Sequence, residues 1–457
     1  MSGLNTSLSI AMRALQADQG ALDATNNNIA NANTPGYSRQ VAVFTEAAPD
    51  QEGPILTGNG VDFQGLQSIR DELLNLQIAQ QTSQQSSADT QSATLQQIET
   101  VFSNTGSDIA SSLSAFYSSL SRLSANPAST AARQGVLSAA QTLATSFNST
   151  AAGLANATTG LNTTIDENVL QVNQLTSQIA QLDQQLAQMK AAGTDGGSVQ
   201  DQHDQLVLKL SKLTGITVTR DSGGESITTA NGSPLVVDGK SFALQTTTGT
   251  DGNQHVLDSN GTDITASLQG GSIGGAIQVR DHDITGLVSQ LNTLASQFAT
   301  AINAAQASGF DQSGKAGQAL FSFTPANAAA TIAVTTTDPT LVAASSDGTA
   351  GSNGNVANLL AVQNSTIVSG QTPSNAYASM VFQVGNLSSE ATAKSSALGL
   401  SLTQLTNLQG SVSGVNIDEE STNLIRFQTA YEAAARVIST VQQLGSVILN
   451  MGSGGGF

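Results

Sequence analysis

Few residues in this chain have both the type and the spacing for chemistry. Three histidines are present and no cysteine, which excludes disulfides, thiolate nucleophiles and cysteine-based metal sites. His203 has Asp201 and Asp204 beside it, and His282 stands between Asp281 and Asp283. Neighbours one or two positions apart do not share a helix face, and no two histidines, His255 included, are spaced as metal ligands. Both His203 and His282 are therefore expected at solvated helix ends. The glycine-rich runs at 193–197, 270–275 and 452–456 lack the strand–loop–helix setting and the lysine of a phosphate loop. Thr250 to Asp263 has acidic residues like those of a calcium loop but no closing Glu in register. No nucleophile-elbow motif occurs. The expectation is a chain with no catalytic residues, no cofactor and no metal.

Tyr37 and Arg39 are the polar residues most open to a functional reading. They follow Thr34-Pro35-Gly36, a turn and helix-stop signal: Pro35 lacks a donor and Gly36 can take positive φ. In one reading Tyr37 packs below the turn and Arg39 is solvated. In the other, the turn sets an aromatic and a cation on the shoulder of a rod, where a neighbouring subunit docks. Arg426 and Arg436 leave the same choice open.

The elements that must position these residues are long amphipathic helices. Near the C-terminus Leu424, Phe427, Tyr431, Ala434, Ile438 and Val441 alternate at gaps of three and four, and Ile448 keeps the register. That is a heptad stripe. Near the N-terminus Leu4, Leu8, Ala11, Leu15, Leu22 and Ile29 share one face of a second helix, although Asn26-Asn27-Asn28 is unfavourable in a helix interior. Neither stripe has a core of its own nearby, and isolated helices of this size are marginal in water. The two ends are expected to pair with each other or with copies of themselves.

Between them, residues 69–213 read as successive helices, with patterns after Asn126-Pro127, over 161–189 and over 199–213. At Ile216 the period changes to strand and turn text, with Asn-Gly at 231–232 and 260–261 and Asp-Gly at 238–239. Helical text resumes at Asp281, and Gly410 and Gly414 are expected to end the helix that starts near Tyr377. The predicted fold is mainly α with a β insertion: long paired terminal helices, a central helical bundle domain and a small all-β outer domain. The predicted division is 1–44 with 411–457 as a terminal helical rod, disordered before assembly. Residues 45–215 with 281–410 form the central domain, with short strands around 320–345, and 216–280 form the outer domain. Residues 452–457 read as a flexible tail.

Composition narrows the function further. The 457 residues include 33 acidic and 15 basic groups, a net charge of −18, so a nucleic-acid partner is not expected. Charged residues are only 11%, well below the quarter or so usual for globular domains. The surface is built from amides and hydroxyls. No run of 18 apolar residues indicates membrane insertion, and no N-terminal stretch has the pattern of a cleaved leader.

Two segments carry a family resemblance. "LDATNNNIANANTPGYSRQ" (Leu22 to Gln40) resembles the N-terminal signature of flagellar rod, hook and hook-associated axial proteins. "ESTNLIRFQTAYEAAARVISTVQQLGSVIL" (Glu420 to Leu449) is similar to their C-terminal partner segment. The Ser-Arg-Gln extension and the long Gln-rich helices at 69–189 point, within that family, to the junction between hook and filament. The resemblance implies a structural subunit whose paired terminal helices line a tubular core, exported by the flagellar type III apparatus to the extracellular flagellum. It implies four partners: copies of itself, the hook protein on one side, a second junction protein on the other, and an export chaperone at the C-terminal region. The expected assembly interface is Leu4, Leu8, Leu15, Leu22, Ile29, Tyr37, Arg39, Leu424, Phe427, Tyr431, Ile438, Val441 and Ile448. The alternatives are a hook or distal-rod subunit, against which the helical block at 69–213 argues, and a stalked adhesin using its β insertion.

Overall fold

Several of the described helices begin where a short polar side chain replaces a missing carbonyl. Asp71 accepts from Leu74 N at 3.0 Å, Asp108 from Ser111 N at 2.6 Å, Ser129 from Ala132 N at 3.2 Å and Thr372 from Asn375 N at 3.3 Å. Each is an N-cap that satisfies one orphan donor of the first turn. The computed structural model describes residues 2–52, 55–103, 108–221 and 224–453. The expected tail therefore lies mostly outside the described residues.

The helices, in chain order, are α1 (Ser2–Asn31), α2 (Glu72–Phe102), α3 (Ile109–Ala125), α4 (Thr130–Ala191), α5 (Gly197–Leu213), α6 (Gly271–Gln278), α7 (Thr285–Ala307), α8 (Ala328–Thr331), α9 (Gly354–Ala361), α10 (Pro373–Ser413) and α11 (Ile417–Ser453). The strands lie between them. They are β1 (Gln40–Glu46), β2 (Asp50–Glu52), β3 (Ile55–Thr57), β4 (Val61–Ser68), β5 (Ile216–Asp221), β6 (Gly224–Thr229), β7 (Pro234–Val237), β8 (Lys240–Ser241), β9 (Gln245–Thr248), β10 (Gln254–Leu257), β11 (Phe321–Ser322) and β12 (Ala333–Val334). A π-helical turn, Val279–Ile284, joins α6 to α7. The fold is mainly α with small β elements.

The spine is α4, 62 residues long, or about 93 Å at 1.5 Å per residue. Two separate patterns in the sequence are one helix here. The stretch between them is small and polar, so the apolar period fades, but its hydroxyls are satisfied locally. Thr150 donates to Ser146 O at 3.0 Å and Thr158 to Leu154 O at 3.2 Å. One buried cluster runs along α4 from Val136 and Phe147 to Ile165 and Ile179. At one end Phe116, Tyr117, Phe298 and Phe321 pack with ring centroids 5.7–6.5 Å apart, within the favourable range for aromatic pairs.

The strands after Ile216 form an antiparallel four-stranded sheet in the order β5-β6-β7-β8, beside a β9–β10 hairpin. Ile227, Leu235, Val236, Leu244 and Val256 are buried in the same cluster as the α4 side chains. Amides of α4 bind the strand region through its backbone. Asn173 exchanges two hydrogen bonds of 2.8 Å with Leu244, and Gln184 donates to Gly239 O at 2.7 Å. Helix α6 starts ten residues before the sequence period predicts. It is buried nearly all round, so it has no polar face to reveal a period. At the other end of the central body, α10 runs straight through Gly410 and stops at Gly414.

Helix α6 crosses α2 at Gly275, where an added Cβ would lie 2.4 Å from Ser87 O, a backbone atom that cannot swing aside. Gly275→Ala is expected to force the helices apart and lower unfolding free energy by about 1–3 kcal/mol, the usual cost of overpacking. Urea denaturation of the two proteins measures it; equal midpoints would show that this crossing is not a tight contact.

Candidate functional site

The apolar stripes at the two ends do meet. Helices α1 and α11 pack against each other, and the last turn of α1 contacts the first turn of α11, so the two run antiparallel. Leu4, Leu8, Leu15, Leu22 and Ile29 on α1 are half-buried, as are Leu424, Phe427, Tyr431, Ile438 and Val441 on α11. Ile448 remains 43% exposed. On the other side of α1 lies the β1–β4 ribbon, with Phe63 seated against Gly20 and Asp62 paired with Arg13 at 2.6 Å. Even so, Met12, Ile425, Val437, Leu444, Val447, Leu449 and Met451 are exposed. The pair is covered on one side only.

At the corner where the pair begins, the residue least suited to a helix becomes its centre. Asn28 is 1% exposed. Its Nδ2 donates to Gln40 O at 2.8 Å and to Glu420 Oε2 at 3.1 Å. Its Oδ1 accepts from the Tyr37 hydroxyl at 2.9 Å and from Gln40 N at 2.9 Å. A carboxamide has two donors and two acceptor sites, and all four are used. Toward Gln40 the side chain behaves as one more peptide group, accepting from N–H and donating to C=O.

The turn that follows needs its glycine twice. Gly36 has φ +81°, in the left-handed region that costs other residues, and a Cβ there would collide with the Gln205 side chain of α5. Burial pushes the Tyr37 phenol up to about 12, helped by the charges of Asp201 and Glu420. Arg39 reaches α11: its Nε donates to Glu420 Oε1 at 2.7 Å and its Nη2 to Glu419 Oε1 at 2.6 Å. Its own N–H donates to Ser413 O at 3.0 Å, at the end of α10. Glu420 is 2% exposed, so this ion pair fixes geometry more than it stabilises. Glu419 and Glu420 also lie in the first turn of α11, where the helix dipole favours carboxylates.

The same segment is tied to the central body. Asp201 of α5 accepts from Ser38 Oγ at 2.7 Å and Ser38 N at 3.1 Å, and from Arg70 Nη2 at 2.8 Å. Arg70 also donates to Gly197 O. Tyr37 and Arg39 thus have partners within the chain. Asn28, Ser38, Arg70, Asp201, Glu419 and Glu420 were not among the expected site residues. The one available signal was the Asn triplet: a side chain that prefers to bond backbone, kept inside an apolar period, implies a backbone to bond.

His203 corrects its sequence expectation. It is 1% exposed, not solvated, and faces Asp183, Asp204 and Glu225. Two of these come from other elements, α4 and β6, which local sequence does not reveal. His282 is exposed as expected, and His255 contacts Asp263 at 2.6 Å and Asp251 at 3.3 Å near the surface. Among the described residues no group of three or more His, Asp or Glu side chains is arranged to hold a metal ion, and no helix is long and apolar enough to cross a membrane.

Comparison with known proteins bears on this corner directly. Residues 95–321 match the family described as "Flagellar hook-associated protein FlgK helical domain". Residues 8–37 match "Flagella basal body rod protein", and 408–451 match "Flagellar basal body rod FlgEFG protein C-terminal". The two end matches between them take in Asn28, Tyr37, Glu419 and Glu420. "Flagellar hook-associated protein 1" of Bacillus subtilis is 31% identical, covering 98% of each chain. The protein of that name from Escherichia coli is 28% identical, covering 96% of this chain and 98% of its own. The solved "flagellar hook junction protein FlgK from Burkholderia pseudomallei" shares the fold, with a TM-score of 0.67 at 20% identity over 74% of this chain and all of that one.

Asn28→Leu keeps the branching of the side chain, at a larger volume, and deletes the four hydrogen bonds. Each buried group left unpaired costs roughly 1–3 kcal/mol, so amide-exchange protection at Gln40 and Glu420 is expected to fall by about tenfold or more. Unchanged protection at both amides would show that the carboxamide does not hold the corner.

Proposed function

The chain belongs to the flagellar hook-associated protein 1 family, structural axial proteins of the hook–filament junction, and from that premise we propose how it assembles. The terminal helix pair is the axial interface. The observation that carries this is the uncovered apolar side of α11. Its stripe against α1 is only half-buried, and Ile425, Val437, Leu444, Val447, Leu449 and Met451 are exposed. Burial of such area is favourable at roughly 25 cal/mol per Å². Copies placed head to tail along one axis would cover it by heterologous contacts, which propagate as open helices.

On this reading Leu4, Leu8, Leu15, Leu22, Ile29, Leu424, Phe427, Tyr431, Ile438, Val441 and Ile448 form the seam within and between subunits. Tyr37 and Arg39 set its angle through Asn28 and Glu420. The rod is 1–44 with 411–457, the helical body 45–215 with 281–410, and the outer part 216–280, except that α6 within that range packs on α2 and α4 of the body. The neighbours are copies of the chain, the hook protein on one side and a second junction protein on the other. The exposed apolar end of α11 is the chaperone's target before export by the flagellar type III apparatus. The working location is the extracellular flagellum, and the role is structural, without an enzymatic step, as the structural relatives support.

Leu424→Asp and Ile438→Asp each place a carboxylate in the seam, far from the central cluster. Each is expected to abolish incorporation at the hook–filament boundary while the central body keeps its wild-type melting transition. Immunogold labelling of isolated flagella reads this; normal labelling of either variant at native expression would refute the seam.

A further inference from the structure

Helix α5 is held on two sides. One side carries Asp201, the anchor of Ser38 and Arg70. The other carries His203, buried between α4 and β6. The ring Nε2 lies 3.1 Å from Asp183 Oδ1 on α4 and 3.5 Å from Glu225 Oε1 on β6, and Nδ1 lies 3.3 Å from Asp204 Oδ1 on α5 itself. Carboxylates thus face both ring nitrogens. A neutral imidazole has one N–H and one lone pair. Protonated on Nδ1, it turns the Nε2 lone pair on Asp183 and Glu225. Protonated on Nε2, it turns the Nδ1 lone pair toward Asp204, with the Gln200 amide at 3.4 Å as the donor beside it. The doubly protonated ring turns an N–H toward a carboxylate at each nitrogen, as a charge contact at Nε2, which has no directed hydrogen bond.

The surrounding charges make the same demand. Asp183 Oδ2, Glu225 Oε1 and His203 Nε2 are buried and have no hydrogen-bond partner, so ring and carboxylates act on each other by charge more than by directed bonds. Glu225 Oε2 is held by Arg220 Nε at 2.6 Å, but Arg220 is shared with Glu72 at 2.7 Å. Arg70, the next cation, is paired with Asp201 at 2.8 Å. Asp204 also accepts from Gln200 at 2.8 Å and from Asn75 at 3.2 Å, both neutral. Without the proton on His203, three carboxylates converge on one buried ring, with the shared Arg220 and, toward Asp204, the already paired Arg70 against them.

We propose that His203 is an imidazolium pin that locks α5 to α4 and the β5–β6 hairpin, and that loss of its proton frees α5 and loosens the Asp201 anchor of the terminal-helix corner. Burial opposes the charge, but Asp183 and Asp204, with Glu225 behind them, outweigh it and raise the ring pKa to about 9. Burial pushes Asp204 upward, yet His203 and Gln200 pull it below the usual carboxylate range. The folded-state value for His203 lies above the ordinary 6.5. Its contribution is therefore complete below about pH 6.5 and is lost as pH rises through about 9.

With three histidines in the chain, ¹⁵N-histidine NMR of the full-length protein tests this directly, with assignments from His255→Gln and His282→Gln. Both His203 nitrogens are expected to be protonated at pH 7.5, with one titration midpoint near 9. A midpoint of 7 or below, or a single N–H at pH 7.5, would overturn the pin. The melting temperature of the wild type is expected to exceed that of His203→Gln near pH 6.5, and the gap to close by about pH 10. A gap independent of pH would mean packing alone, and stoichiometric Zn²⁺ binding lost in His203→Gln would mean a metal site instead; either rejects the proposal. If that variant does not fold, the wild-type titration decides. Exchange protection at Ser38, corrected for intrinsic rate, is expected to fall over the same pH range. Constant protection would reject the link to the corner.

Discussion

The arrangement of the terminal helices depends on one buried carboxamide. Asn28 joins α1, the first strand residue Gln40, the turn residue Tyr37 and the α11 residue Glu420 with no bonding capacity left over. Apolar stripes slide and rotate at small cost, because adjacent registers of a heptad bury similar area. A saturated polar centre does not, since any displacement strands groups away from water. The stripes thus supply attraction, and the corner supplies register. Arg39 and Asp201 extend the constraint from the helix pair to α10 and α5, so the direction of the helix pair is set relative to those helices.

The same device recurs through the molecule. Asn173, Gln184 and Asn162 of α4 bond the backbone of the strand region or its turns, Asn148 bonds Ala329 O, and Asn303 bonds both Leu320 N and Phe321 O. This explains how a chain with 11% charged residues keeps irregular segments in place. An amide can mimic the peptide partner that a loop lacks, without the desolvation cost of burying an ion. Where ions are buried, as at Arg133 and Arg280, they too end on backbone carbonyls: Val342 O at 2.5 Å and Gln254 O at 2.7 Å.

Both terminal stripes, the long helices and the change of period at Ile216 were legible in the sequence, because each is a repeated local pattern. What escaped was whatever depends on a distant partner. Asn28 looked merely unfavourable until Gln40 and Glu420 stood beside it. His203 looked solvated because its flanking aspartates were read as local, while Asp183 and Glu225 come from α4 and β6. Helix α6 escaped for the opposite reason: buried nearly all round, it has no polar face to mark a period. The fusion of two patterns into α4 was hidden by Ala, Thr and Asn, which a helix tolerates but a hydrophobic period does not register.

A polar corner at the base of a half-covered helix pair separates two properties that a filament subunit needs. On the proposed assembly, affinity between subunits would grow with the apolar area left open on α11. Geometry would have to be correct before that area met a neighbour, because a heterologous contact repeated along an axis multiplies any angular error. Placing Glu420 and Asn28 where α11 begins fixes the angle at the fulcrum and leaves the far end, Leu444 to Met451, uncovered. Local stability varies along a structure with its buried contacts. Order on the proposed assembly pathway then runs outward from the corner: the polar centre closes first, and the stripe follows as neighbours cover it.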